Sequence, residues 1–470
     1  MGILSSITAE NVVIGDRSSR FSTAVFLLVC LVPVFGTVLF GAVDNTTWII
    51  ITMLWLAMIL LWFGETWKGG GMLLNTSPLQ LPLIGLMLIG LVQLLPIGGG
   101  LGPDVNVPVS GALSMDPYAT RFFLARLIVY IVFFAACLTF INHERRLKRT
   151  VLLVIIFGAA MAFFGIMQRL ANPEGIYGMR ETPQSIPFGP FVNQHHFAAF
   201  MQMTAGAALG LLFGKRTTRD KKILLAIAVV IMGVATVLTS SRGGLLGFIS
   251  TLAFVTVLSF LSGRWSDQRN GGPAAGTLQR NVAMGAGAVA IIAVVFGVAL
   301  FIGGNDSLLR GIGAGTENDI SNGRAHFWPI ALRIFFEHPV IGAGFDAFGA
   351  AFSKFDTWNG LLRVEQAHND YLQILADSGI AGFACIAAFI YLLFRKGLAG
   401  IASGRNGFRK DAAIGALAGC FGILIHSFFD FPLRTPSNAF FFLLIAAIAV
   451  VPVRMNDDEH TRRPRRTTSP

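Results

Sequence analysis

The sequence predicts an all-α polytopic membrane protein of about twelve transmembrane helices, with one large outer loop carrying short helices. Three observations predict it. The chain is 54% hydrophobic and 13% charged, with a mean hydropathy of +0.66, where a soluble domain carries about 25% charged residues. Its apolar residues fall into runs with the roughly 17–25 residues that a bilayer core requires. Lys and Arg gather in alternate connections between those runs, as topology signals do. The net charge of +11 is dispersed in this way and does not point to nucleic acid.

The runs place helices near 21–43, 48–63, 79–97, 121–141, 151–170, 196–213, 223–239, 244–261, 283–303, 371–394, 412–429 and 438–453. The first has no small-residue cleavage site after it and reads as a retained helix. Basic residues mark one side: Arg145, Arg146, Lys148 and Arg149; Lys215, Arg216, Arg219, Lys221 and Lys222; Arg264, Arg269 and Arg280; Arg395, Lys396, Arg405, Arg409 and Lys410; and Arg462, Arg463, Arg465 and Arg466 in the final tail. The positive-inside rule places these and both termini in the cytoplasm. The expected organisation is a cytoplasmic tail (1–20), nine helices (21–303), a periplasmic loop domain (304–370), three more helices (371–453) and a basic cytoplasmic tail (454–470).

Within the large loop, 323–336 carries apolar residues at helical spacing. It reads as an amphipathic helix on the membrane surface, with Pro329 in its first turn and a stop at His338 and Pro339. The four cysteines, Cys30, Cys137, Cys385 and Cys420, lie in apolar runs without metal spacing and read as small hydrophobes.

The polar residues of interest share the outer side. Ser240, Ser241, Arg242, Gly243 and Gly244 form a tight turn before helix eight, whose backbone N–H groups suit an anion. Arg242 adds a planar bidentate donor for phosphate; a snorkelling arginine is the plainer explanation. His368 stands just before helix ten, where the helix dipole disfavours an imidazolium and a general base is well placed. Asn369 or Asp370 caps that helix. Asn193, His195 and His196 precede helix six, after a loop with Arg180. No acidic group stands at ligand spacing beside the paired histidines, so no metal is expected. Asp430 and Arg434 follow helix eleven and can pair with each other. Arg121 and Arg169 snorkel, whereas Arg126 is deeper and needs a partner. No phosphate-binding glycine loop or nucleophile elbow occurs.

With Asn193, Gln194, His195 and His196; Ser241, Arg242, Gly243 and Gly244; Gly323 and Arg324 with His338, Pro339, Gly342, Ala343 and Gly344; and His368, Asn369, Asp370, Tyr371 and Leu372 in this order, the chain resembles the O-antigen ligase and O-antigen polymerase family. The resemblance spans about 150–440. Where the family often has Asn-Arg-Asn-His, Gln194 and His195 hold the middle places here, which leaves the role of His196 open.

The resemblance implies a C-type glycosyltransferase of the bacterial inner membrane. Its donor is a glycan on undecaprenyl pyrophosphate, and its acceptor a growing polysaccharide repeat or lipid A-core, joined in the periplasm with inversion and without cofactor or metal. Other polysaccharide assembly proteins are further expected partners. His368 and Arg242 are the expected catalytic pair. Arg180, Arg242, Arg324, Arg434, His196, Asn193 and Asp370 are expected on the pyrophosphate and glycan. The stretch from His426 to Arg434 resembles exopolysaccharide members, which leans toward a polymerase or a ligase-like enzyme of another surface polysaccharide. The alternative is a transporter or flippase of lipid-linked sugars, which calls for mid-membrane charges and broken helices.

Overall fold

The computed structural model describes residues 19–97, 111–171, 175–183, 185–269, 277–302, 304, 306–307, 309, 323–358, 363–403 and 407–452. Residues 1–18 of the expected N-terminal tail, the whole C-terminal tail and part of the large loop lie outside the described residues. Among the described residues, fourteen α-helices follow in order: α1 Arg20–Val38, α2 Asn45–Gly69, α3 Gln80–Gln93, α4 Pro117–Phe140, α5 Glu144–Ala171, α6 Gln194–Leu212, α7 Arg219–Leu238, α8 Arg242–Arg269, α9 Thr277–Phe301, α10 Arg324–Glu337, α11 Phe348–Ser353, α12 Asp370–Ser403, α13 Gly407–His426 and α14 Pro436–Val450. A two-residue hairpin pairs β1 (Gly175–Ile176) with β2 (Arg180–Glu181). Eight of the helices are long and apolar enough to cross a membrane, and α3 and α14 are shorter apolar helices. With α6 and α13, every helix expected from the apolar runs is present, and α10 and α11 are the short helices of the large loop.

The centre of the bundle is α6, α13 and α14, each buried almost all round. Glycine makes this possible. A Cβ on Gly206 would stand 2.7 Å from the Gly419 backbone nitrogen, and one on Gly210 2.4 Å from the Asp411 carbonyl. Without a hydrophobic drive between helices in lipid, small residues at four-residue spacing allow backbones to meet. The small residues of α6 and α13 thus serve contact with protein, not lipid.

The basic connections meet at one end of the bundle. Lys148 lies over Phe408, Lys410 donates to the Ser262 carbonyl at 2.9 Å, and Lys396 reaches Ser77 at 3.3 Å. The glycine turns and histidines occupy the opposite end.

Two local expectations change. Pro329 is the sixth residue of α10, in its second turn, because the left-handed Gly323 starts the helix immediately before Arg324. Ile330, Ala331 and Ile334 of α10 join Ala343, Phe348, Phe352 and Ala376 in a small second core, so this face packs on α11 and α12. The second change is a break in α12. Gly379 has φ 61° and ψ −162°, a conformation open essentially to glycine alone. The loop fills the break: Ile380 N donates to Pro339 O at 2.9 Å, Ala381 N to Val340 O at 3.1 Å, Ala343 N to Ala376 O at 2.8 Å and Gly344 N to Asp377 O at 3.0 Å. Buried Gln93 closes the joint. Its amide donates to Ile341 O and Asp377 O at 2.5 and 2.8 Å and accepts from Phe345 N at 3.0 Å. Backbone groups freed by a break inside a membrane helix must find partners within the protein, and here they do.

A methyl group at this joint has nowhere to go. A Cβ on Gly379 would stand 2.5 Å from the Val340 carbonyl carbon. Gly379→Ala is therefore expected to leave little folded protein in the membrane, whereas Gly285→Ala on α9, where a Cβ meets nothing within 4 Å, should accumulate normally. Immunoblots and thermal unfolding of the two variants decide; equal levels and equal Tm would remove the joint from the fold's essential contacts.

Candidate active site

The segment between α13 and α14, from Ser427 to Thr435, organises the site end of the bundle. It descends into a 3-10 turn, Pro432–Arg434, and touches the first turns of α6, α8 and α10 and the loop before α12. Proline at 432 and 436 keeps it out of either helix.

His368 sits on this segment. Its Nδ1 lies 3.2 Å from Oδ1 of Asp430, and its ring meets Phe431 edge-on at 4.9 Å and Phe327 nearly parallel at 6.0 Å. The imidazole is about a third exposed, and the carboxylate only 2%. Asp430 Oδ1 also accepts from the Phe431 N–H at 2.9 Å. Burial works to raise the Asp430 carboxyl, but the His368 hydrogen bond and the nearby His195, His196 and His368 rings outweigh it, holding the group well below the usual carboxylate range. An ionised Asp430 accepts, so Nδ1 of His368 donates and Nε2 presents its lone pair away from the carboxylate. This is the arrangement of a base oriented by a third group. The backbone of His368 is held at φ 51°, a left-handed state uncommon outside glycine. Asn369 beside it caps α12, its Oδ1 accepting from Tyr371 N and Leu372 N at 3.0 and 3.1 Å. Asp370 instead accepts from the Ser427 hydroxyl at 2.9 Å and donates its own N–H to Ser427 O at 2.9 Å.

Two expected arginines converge on the same segment. Arg324, the first residue of α10, donates from Nε and Nη2 to the Phe429 carbonyl at 3.0 and 2.6 Å. The Arg242 turn lies against Phe429 and His426: a Cβ on the adjacent Gly243 would stand 3.1 Å from Phe429 Cβ and 2.6 Å from His426 Cδ2. Ser241 caps α8, its hydroxyl accepting from Gly244 N at 3.1 Å. The half-buried Arg242 thus starts α8 in a turn packed on Phe429, the residue whose carbonyl Arg324 holds.

Arg434 and Asp430 do not pair with each other. The Arg434 guanidinium forks between Asp346, at 2.7 Å, and Asp377. Burial works against its charge, but Asp377, Asp346 and Asp370 prevail and raise its affinity for the proton above the ordinary arginine value. With two carboxylates on its fork, Arg434 is first a brace between the 3-10 turn, the loop and α12. Arg180 is also occupied: it is bidentate on Asp44, with one bond at 2.9 Å, and lies 4.7 Å over Phe40. Its described contacts tie it to the connection between α1 and α2, not to the 427–435 segment. Asn193 caps α6, accepting from His195 N at 2.8 Å. His196 is buried, with Nδ1 2.5 Å from the Thr435 hydroxyl and its ring edge-on to Phe431 at 4.9 Å. Arg126 finds its partner in the ring of Trp48, at 5.3 Å.

Sequence reasoning missed Asp377, Asp346 and Gln93. Asp377 is fully buried and lies inside an apolar run, and an intramembrane carboxylate is itself a signal of function or of a paired charge. Asp346 and Gln93 gave none, since each matters only through a partner far away in the chain. Among the described residues, no cluster of His, Cys, Asp or Glu could hold a metal. A cavity of about 220 Å³ lies between α3, α4, α12 and α14, walled by Leu83, Leu127, Ile386 and Phe442, with Asp370, Ser427 and Arg434 on its lining.

Residues 227–387 match a family model described as O-antigen ligase. The match runs from α7 into α12 and contains Arg242, Arg324, Asp346, His368 and Asp377. No curated protein matches the chain.

Proposed function

We propose that this chain, a multi-pass membrane protein of the O-antigen ligase family and so a membrane enzyme transferring glycan in O-antigen biosynthesis, takes its glycan from undecaprenyl pyrophosphate and passes it with inversion to a polysaccharide repeat or lipid A-core. The observation that carries this reading is the His368–Asp430 pair set beside Arg324 and the Arg242 turn on one short segment. His368 Nε2 takes the proton from the acceptor hydroxyl as its oxygen attacks the anomeric carbon. The bond from that carbon to the pyrophosphate oxygen breaks, and the electron pair leaves with the phosphate. Arg242 and Arg324 stabilise the charge that develops there, the role that preorganised donors serve best. Positive side chains do this work without a divalent metal. The apolar cavity between α3, α4, α12 and α14 suits part of an isoprenoid chain, with charged groups at one side.

With the basic connections gathered at the other end of the bundle, the positive-inside rule favours a periplasmic site and cytoplasmic termini in the inner membrane. A transporter reading draws some support from the broken α12 and buried Asp377, but the break is filled by the loop's own backbone and does not leave its carbonyls open to coordinate an ion.

The test is transfer by purified protein in EDTA, with a lipid-linked glycan as donor and both acceptor types offered. Wild-type protein should release undecaprenyl pyrophosphate and lengthen one acceptor. Arg242→Lys keeps the charge and loses the planar fork, so a loss of ~10-fold or more in turnover is expected, about 1.4 kcal/mol of transition-state stabilisation. Transfer that needs added magnesium, or a lysine variant with wild-type rate, would overturn this assignment.

A further inference from the structure

The structure holds a second set of rings beside His368. Trp358 lies flat on the imidazole of His326, with centroids 4.2 Å apart and planes within 6°. That imidazole is fixed from its edge by Asp356, whose Oδ1 is 2.8 Å from Nε2 and also accepts the backbone N–H of Trp358 at 3.0 Å. Phe327 buttresses both: it meets Trp358 edge-on at 5.8 Å and lies nearly parallel to His368 at 6.0 Å. Trp328 anchors the same helix by donating its indole N–H to Ala367 O at 3.1 Å. Despite this support, Trp358 remains 47% exposed. One face is covered by His326 and the indole is half open to solvent, one ring away from the base.

We infer that Trp358 is a saccharide platform: it stacks a sugar ring of the acceptor glycan and so presents that glycan's hydroxyl to His368. The inference rests on the glycan-transfer reading above. A pyranose has an apolar face of C–H bonds and a rim of hydroxyls. The C–H face packs on an indole, whose negative π-face attracts the slightly positive hydrogens, and the rim needs hydrogen-bond partners such as the adjacent Asp356. The His326 hydrogen bond is the largest influence on the Asp356 carboxyl and holds it below its usual range, so it stands as an acceptor for hydroxyls. Because His326, Asp356 and Phe327 fix the ring in advance, little side-chain freedom is lost when a sugar arrives, which is how rigid aromatic anchors contribute affinity. The platform serves the acceptor, because Phe327 couples it to the base that acts on the acceptor hydroxyl, whereas the arginines lie on the Phe429 side.

Two measurements on the full-length protein in detergent test this. In the transfer assay, Trp358→Ala should raise KM for the acceptor by about 3- to 10-fold, the range of one aromatic stacking contact. It should leave KM for the donor unchanged and kcat within about twofold, with Trp358→Phe in between. In the second, delipidated repeat-unit and core oligosaccharides are titrated against intrinsic tryptophan fluorescence. Wild-type protein should respond to one of them, and Trp358→Phe should lose that response. A Trp358→Ala enzyme with unchanged acceptor KM, or a rise confined to the donor, overturns the platform, as does a fluorescence response that survives in Trp358→Phe. If the protein transfers no glycan but still shows a Trp358-dependent response, the platform stands and the transfer reading fails.

Discussion

His368→Asn is expected to lower turnover by ~10²–10⁴-fold, the usual contribution of a general base, while the protein reaches the membrane at normal level and still binds lipid-linked donor. Asparagine is chosen because His368 has φ 51°, and Asn tolerates the left-handed region several-fold better than most side chains; alanine would add backbone strain to loss of the base. Asp430→Asn tests the other half of the pair. It keeps the shape but removes the charge that fixes the tautomer of His368, and a positioned carboxylate of this kind is worth up to ~10⁴-fold elsewhere. It should lower kcat more than it changes KM and should shift the pH profile.

The sign of the pH effect follows from the depressed Asp430 carboxyl. A carboxyl held low in the folded state contributes stability that is present above its unfolded value of about 3.9 and is lost only as pH falls through the depressed folded value. Asp430 therefore stays ionised throughout the range in which imidazoles titrate. Mild acidification therefore leaves the Asp430 charge in place, whereas Asp430→Asn lacks that charge at every pH, so the pH profiles of the two proteins should differ. A His368→Asn enzyme with near wild-type transfer at neutral pH would end the general-base assignment. An Asp430→Asn profile that overlays the wild type would reduce Asp430 to a structural residue.

Arg434→Ala is expected to be strongly destabilising. It strands Asp377, which has no exposed side-chain surface, and Asp346 beside it. Removing one partner of a buried ion pair typically costs about 3–5 kcal/mol. Thermal unfolding in detergent should show a large drop in Tm and a broadened gel-filtration peak. Arg434→Lys should be only partly restored, because a point charge cannot fork between two carboxylates. Neutralising both acids together, in Arg434→Met with Asp377→Asn and Asp346→Asn, should recover much of the fold, since no buried charge is then left alone. A single Arg434→Ala protein with wild-type Tm would show that the three charges are not a brace.

Much of this molecule was legible in the order of its residues. Apolar runs located every membrane helix, because a bilayer imposes length and composition with little latitude. Ends were less legible where amphipathic ends extend a helix beyond hydrocarbon, as at Glu144 in α5 and Ser403 in α12. The turn before Arg242 and the cap beside His368 stood out because glycine and asparagine have local meaning. Partners across the chain did not. That Asp430 takes His368 while Arg434 takes Asp346 and Asp377 depends on how far the 427–435 segment descends, which no local pattern encodes. The break at Gly379 was hidden for a related reason: a glycine after Asp377 and Ser378 is compatible with a continuous helix until a loop from thirty-odd residues earlier is seen to occupy its place.

That joint also constrains how the protein is made. The 339–344 segment leaves the ribosome before α12 does, so the strand that completes the helix is synthesised ahead of the helix that needs it. The piece of α12 before Gly379 is too short to satisfy the bilayer alone, and its free carbonyls at 376 and 377 have partners only once Ala343 and Gly344 are in place. Unpaired backbone groups in hydrocarbon cost several kcal/mol each. Completion of α12 is thus coupled to a segment that precedes it in the chain: the helix is whole only when residues 339–344 already stand where its break will fall.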